Sequence, residues 1–126
     1  TFIKLLSYLQ TQDNAKNELT QMSLSIQKFL KKNFNQKITA ATLSEHFDER
    51  PNYIVRVLRQ TIGLSPAEFL MQYRMEEAAQ WLLNTETSVE DIALNVGFQN
   101  IYYFSTSFKK YTGVSPTKYR QSAKRE

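Results

Sequence analysis

Cysteine is missing from this 126-residue chain, and glycine and proline occur only three times each. Without cysteine there can be neither a disulfide nor a thiolate metal site, a composition compatible with a reducing cytosol. With so few helix breakers, and with long stretches of Leu, Ala, Glu, Gln and Lys, most of the backbone is free to be helical, so the fold class expected is all-α. Histidine is nearly absent as well. The single one, His46, sits beside Glu45, with no glycine-rich phosphate loop and no metal-ligand spacing anywhere in the chain. No catalytic residue, cofactor or metal is therefore expected, and His46 reads as an ordinary exposed helix residue. No apolar run approaches the ~18–20 residues of a membrane span, and the opening Thr1–Leu9 lacks the charged start and small-residue cleavage site of a signal peptide. Neither a membrane nor export is indicated, and a cytoplasmic location is expected. The first residue is Thr rather than Met, which reads as a piece of a longer protein.

What the chain does contain is 41% hydrophobic and 13% aromatic residues, enough for a packed core. It also contains a repeat. Gly63-Leu64-Ser65-Pro66-Ala67-Glu68-Phe69 returns fifty positions later as Gly113-Val114-Ser115-Pro116-Thr117-Lys118-Tyr119. Upstream the correspondence holds at Tyr53/Tyr103, Ile54/Phe104 and Leu58/Phe108, then drops to forty-nine at Leu43/Ile92, Ser44/Ala93 and Phe47/Val96, so one copy has a turn one residue longer. A short helix, a tight turn and a second helix, used twice, is the pattern of two helix-turn-helix units.

Local signals place the elements. Phe2, Leu5, Leu6 and Leu9 have helical spacing, and the polar stretch Thr11–Asn17 reads as a break, making residues 1–17 a connector from an upstream domain. Glu18–Asn35 forms an amphipathic helix with Met22, Ile26, Phe29, Leu30 and Phe34 on one stripe. Thr39 caps Ala40–Phe47, Asp48-Glu49-Arg50 is the turn, and Pro51 starts a helix that Gly63 ends near Ile62. Ser65, Pro66 and Glu68 combine cap, first-turn proline and capping-box acid for a long helix to about Leu83. Ser88 caps Val89–Val96, Gly97-Phe98-Gln99 is the second turn, and Asn100 caps Ile101–Thr112. A last short helix runs from Pro116 to about Arg120 and the rest is a frayed tail. The expected organisation is residues 18–64 and 85–121 as two helix-turn-helix subdomains, 65–84 as a linker helix and 122–126 as tail.

The formal net charge is only +4, but it is segregated. Gln99–Arg125 holds six basic residues and no acid, while Glu76–Asp91 holds Glu76, Glu77, Glu86, Glu90 and Asp91 and no base, which implies one basic and one acidic face. In the second helix of the first unit, Ile54, Val57, Leu58 and Ile62 share an inward side; Asn52, Arg56 and Arg59 face out, with Val55 at the flank. In the other unit Phe104, Phe108 and Tyr111 point inward, leaving Tyr102, Thr106 and Lys109 outside and Ser105 at the flank. Amide and guanidinium groups pair bidentately with adenine and guanine edges, whereas hydroxyls, an exposed aromatic and Ile101 against a thymine methyl offer weaker readout. A middle helix of about eighteen residues spans roughly 27 Å, which would bring two successive major-groove segments, ~34 Å apart, within reach.

These residues resemble the C-terminal DNA-binding domain of the AraC/XylS family of bacterial transcription regulators, over about Ile38 to Gln121. The similarity rests on Tyr53-Ile54-Val55-Arg56, Gly63-Leu64-Ser65-Pro66, Arg74 and Ala78, Asp91-Ile92-Ala93, Val96-Gly97-Phe98, Tyr103-Phe104, Phe108-Lys109-Lys110, Gly113-Val114-Ser115-Pro116 and Tyr119-Arg120. It implies sequence-specific double-stranded DNA binding by two recognition helices, and contacts with RNA polymerase. Base-contacting positions carry over to Asn52, Val55 and Arg56, and to Ile101, Tyr102, Ser105 and Thr106. Phosphate contacts are expected from Arg50, Arg59, Asn100, Lys109 and Lys110. The chain departs from the family pattern at the first turn, where Asp48 replaces a glycine, Glu49 an apolar residue and Arg50 a serine cap. Thr106 stands where arginine is common, which shifts the second unit toward phosphate contacts. An upstream sensor or receiver domain is implied. The alternative from another class is a helical protein-interaction module that binds no nucleic acid; it accounts for the periodicity but not for Asn52, Arg56, Arg59 and Lys109 on outward faces. Trp81, near Met71 and Met75, reads as core.

Overall fold

The computed structural model of the chain describes residues 2–124. Seven helices and no strand are found among them: α1 (Phe2–Lys32), α2 (Ala40–Phe47), α3 (Pro51–Ile62), α4 (Pro66–Asn84), α5 (Val89–Asn95), α6 (Ile101–Thr112) and α7 (Pro116–Lys124). The chain divides into two compact units. One combines the residues up to Lys32 with Thr39–Pro66; the other combines Asn33–Ile38 with the chain from Ala67 onward.

In the first unit α1 packs against α3, and α2 against α3. The core is aliphatic: Ile26 and Leu30 from α1, Leu43 from α2, and Ile54, Val57 and Leu58 from α3 are all buried. Each such side chain contributes roughly 1.5–3 kcal/mol of transfer free energy. The buried Ser23 is satisfied by the Thr61 hydroxyl at 2.6 Å and by Gln27, whose amide nitrogen donates to it at 3.1 Å. His46 lies exposed on α2 with its ring 4.2 Å from that of Phe29. Ile62, expected inward, is 37% exposed because it falls on the last residue of α3.

The polar stretch 11–17 does not interrupt the helix: α1 runs unbroken through it. Thr11 and Thr20 donate their hydroxyls to the carbonyls of Ser7 and Lys16, at 2.9 and 3.0 Å. With no glycine or proline present, polarity makes this stretch solvent-facing without ending it. Along α1 the positions Phe2, Leu5, Leu9, Gln12, Lys16, Leu19, Ser23, Ile26 and Leu30 follow a regular 3-4 spacing. The last three are buried in the first unit, while Phe2, Leu5 and Leu9 are exposed.

The second unit is built on aromatic side chains. Met75, Ala78 and Leu82 of α4, Ile92 and Ala93 of α5, Val96 and Phe98 of the turn, and Phe104 and Phe108 of α6 form one buried cluster, with Trp81 and Tyr119 packed against it. Phe104 lies 5.3 Å from Phe98 and 5.9 Å from Phe108, and Tyr119 meets Phe108 edge-on at 5.3 Å. The long helix α4 is thus a core element of this unit as well as a connection. Tyr111, expected inward, is 48% exposed; its hydroxyl bonds to Glu76, and partial burial, reinforced by that carboxylate, raises its pKa. The final helix continues past Arg120 to Lys124, so most of the expected tail is helical; Arg125 and Glu126, like Thr1, lie outside the described residues.

Candidate nucleic-acid interface

The two turns set the direction of the helices that follow them. In the first, Asp48 adopts a left-handed conformation (φ 52°, ψ 46°) and its N–H reaches the carbonyl of Ser44. Aspartate is among the few side-chain-bearing residues that tolerate this region, so the expected departure from glycine is accommodated as αL geometry at Asp48. Thr39 and Thr42 form a reciprocal capping box at the start of α2. Helix α3 begins with Pro51 at its first position, and Arg50 makes no side-chain cap, which leaves its guanidinium, on an exposed residue, outside the helix start. Asn52, Arg56 and Arg59 are exposed along α3, Val55 is 37% exposed beside them, and Ile54, Val57 and Leu58 back this row from the core.

In the second unit Ser88 caps α5 by accepting from the Asp91 N–H at 3.1 Å, and Asn100 caps α6 by accepting from the Tyr103 N–H at 3.0 Å. The cap uses the side-chain oxygen of Asn100, so only its amide nitrogen is suited to a phosphate. On α6, Tyr102 is 81% exposed and Thr106, Lys109 and Lys110 are exposed, while Ile101 and Ser105 are half-buried. Ser105 and Ile101 accordingly present less surface to a partner than Tyr102. Lys109 and Lys110 occupy the last turn, where they also complement the helix dipole.

The basic run from Gln99 onward is not one uniform face. Lys109, Lys110 and Lys118 are exposed, but Arg120 donates from Nε to the Leu82 carbonyl at 3.0 Å and from its terminal nitrogen to the Thr85 carbonyl at 3.1 Å, closing the end of α4. Lys124 pairs with Glu86 at 3.3 Å, and Arg125 is outside the described residues. Arg74 also bridges two backbone carbonyls. It donates from Nε to Phe34 at 2.7 Å and from its terminal nitrogen to Gln36 at 2.8 Å, all within the second unit. Burial lowers the Arg74 pKa, an effect opposed by Tyr103. In the sequence Arg120 counts only toward the basic run and Arg74 has no assigned role.

Among the acidic residues, Glu76, Glu86, Glu90 and Asp91 are exposed. Glu90 and Asp91 lie in the first turn of α5, where negative charge is favoured. No cluster of metal-ligating side chains occurs among the described residues, and no helix is long and apolar enough to cross a membrane.

Two capped helix-turn-helix units, each presenting a polar row on its second helix, agree with the comparisons to known proteins. A family model described as a helix-turn-helix domain matches residues 37–122. The bifunctional transcriptional activator and DNA repair enzyme AdaA of Bacillus subtilis is 35% identical over 101 residues, covering 80% of this chain and 48% of that protein. The chain spans about half or less of the length of the first curated relatives it matches. Among solved structures, the C-terminal domain of AraT, a response regulator from Geobacillus stearothermophilus, superimposes with a TM-score of 0.78 at 37% identity, covering 80% of this chain and 84% of that one. The DNA-binding domain of AdpA, solved with a target DNA, shares the fold with a TM-score of 0.77 at 20% identity, over 82% and 93% of the two chains. The chain therefore belongs to the AraC/XylS family of transcription regulators, as its DNA-binding helix-turn-helix domain.

Proposed function

We propose that each recognition helix enters the major groove of duplex DNA, with unequal duties. On α3, Asn52, Val55 and Arg56 read base edges while Arg50 and Arg59 hold phosphates. On α6, Ile101, Tyr102, Ser105 and Thr106 meet the bases and Asn100, Lys109 and Lys110 hold phosphates. The observation that carries this reading is the pair of exposed polar rows, each backed by a buried face of the same helix. The chain acts by binding alone, without catalysis, in the cytoplasm, under an upstream sensor or receiver domain; a response-regulator domain among the similar structures favours a receiver. Selection from random duplexes should yield one preferred sequence, bound with an affinity that falls steeply as salt rises. Salt-insensitive retention, or no sequence preference, would defeat the reading and favour a protein-interaction module.

RNA polymerase is the partner proposed for the acidic side. Carboxylates are repelled by phosphates, so Glu86 and Glu90 belong on a surface turned from DNA. Reversing both charges should change transcription more than DNA affinity. Because Glu86 pairs with Lys124 and Glu90 sits at a helix start, thermal midpoints must be matched first. A large affinity gain at low salt with unchanged transcription would put these residues beside the duplex instead.

A further inference from the structure

The second turn has no room to spare. Gly97 holds φ +99°, and a Cβ placed on it would lie 2.8 Å from the Phe34 carbonyl oxygen and 2.9 Å from the Nε of Arg74. Those two atoms are themselves joined by the 2.7 Å hydrogen bond between Arg74 and Phe34. The turn between α5 and α6 therefore rests on a floor made of a backbone carbonyl and the guanidinium that fixes it. The Arg74 Cζ also lies 5.8 Å from the centre of the Phe98 ring, the residue after the glycine, and Phe98 contacts both Tyr103 and Phe104 of α6. All these residues belong to the second unit.

From this geometry we infer that Arg74 is a positioning residue for the second recognition helix: it holds Asn33–Ile38 against the Gly97-Phe98 turn and so sets the placement of α6 in the groove. Arg74 points at backbone within its own unit and needs no contact with DNA for this role. Lysine cannot replace it, because one ammonium centre lacks the planar fork that spans two carbonyls while lying on a ring. Arg120 supplies an internal control. It spans two carbonyls at the end of α4 in the same manner, those of Leu82 and Thr85.

The inference rests on the DNA-binding reading, and the experiment separates the two. Full chains carrying Arg74→Lys or Arg120→Lys are compared with the unaltered chain by base-by-base substitution across the selected duplex, below their thermal midpoints. Tyr102→Ala marks the half of the site read by α6, and Arg56→Ala the half read by α3. Arg74→Lys should lose about tenfold in discrimination at the Tyr102-marked positions and keep it at the Arg56-marked ones. Arg120→Lys should keep both. Amide spectra of free Arg74→Lys should show shifts from Gly97 through Tyr103 with α3 unmoved. The inference is overturned if Arg74→Lys retains discrimination, if it loses discrimination evenly over both halves, or if its α5 and α6 amides melt, which would make Arg74 a structural fastener. No sequence preference in the unaltered chain would instead defeat the functional reading itself.

Discussion

The two helix-turn-helix units reach one topology through different chemistry. The first closes its turn on a left-handed aspartate and fills its core with Ile26, Leu30, Leu43, Ile54, Val57 and Leu58. The second closes on Gly97 against the Arg74 floor and fills its core around Phe98, Phe104 and Phe108. The outward rows diverge in parallel: an amide and guanidinium groups on α3, hydroxyls, an exposed tyrosine and lysines on α6. What the copies share is their boundaries, meaning the side-chain caps at Thr39 and Ser88 and the proline starts of α4 and α7, together with an arginine that donates to two backbone carbonyls. Boundaries fix where helices begin and end, and core or surface chemistry can then vary within that frame.

The largest expected effect tests the difference between cores. Phe108 is fully buried between Phe104 and Tyr119, so Phe108→Ala should cost about 3–5 kcal/mol, whereas Leu58→Ala in the aliphatic core should fall in the broader range of about 2–5 kcal/mol. The aromatic deletion should be the costlier one, because ring pairs add to area burial. Urea unfolding followed by amide exchange in α6 and in α3 measures both; an inverted order would remove the energetic side of the contrast.

The outward rows come next. Arg56→Ala should cost about 1–3 kcal/mol in binding and relax preference at one base pair, while Lys109→Ala should weaken all sequences alike and lower the salt slope by about one. Titrations at several salt concentrations, on the selected duplex and on scrambled ones, distinguish the two patterns. If Arg56→Ala weakened every sequence equally, α3 would be no more a base reader than α6.

The turns predict effects of opposite sign. Gly97→Ala meets both an unfavourable φ and the Phe34 carbonyl, and should cost about 1–3 kcal/mol. Asp48→Gly relieves a left-handed side-chain-bearing residue and should stabilise by up to about 1 kcal/mol, since part of the gain is lost to the freer unfolded chain. If both midpoints fell, Asp48 would carry no strain for glycine to relieve.

Most helix boundaries were legible in the sequence because each has a chemical mark: Thr39, Ser88 and Asn100 as caps, Pro51, Pro66 and Pro116 as starts, Gly63 and Gly113 as ends. The inward faces of α3 and α6 followed from period alone, except at Ile62 and Tyr111, where a helix end and a hydroxyl–carboxylate bond outweighed apolar character. Two features were hidden for physical reasons. A polar stretch with no breaker looks like a linker in composition yet continues a helix, as residues 11–17 do. An arginine bonded to carbonyls nearly forty residues away looks like surface charge, as Arg74 and Arg120 do.

The smallest expected effect concerns the part of α1 that belongs to neither helix-turn-helix. Deleting residues 1–17 removes the exposed Phe2, Leu5, Leu6 and Leu9 but leaves Ser23, Ile26 and Leu30 in the first unit's core. The shortened helix would begin at Glu18, whose negative charge suits a helix N-terminus. DNA affinity and thermal midpoint should stay nearly unchanged, although α1 is continuous, because the lost turns bury none of their large apolar side chains. Those side chains would each contribute about 1.5–3 kcal/mol if covered, so any self-association of the intact chain should vanish with them in sedimentation measurements. A truncated chain that melts many degrees earlier would show that the outer turns of α1 stabilise the first unit. The contrast between the two units would then have to include a helix that only one of them possesses.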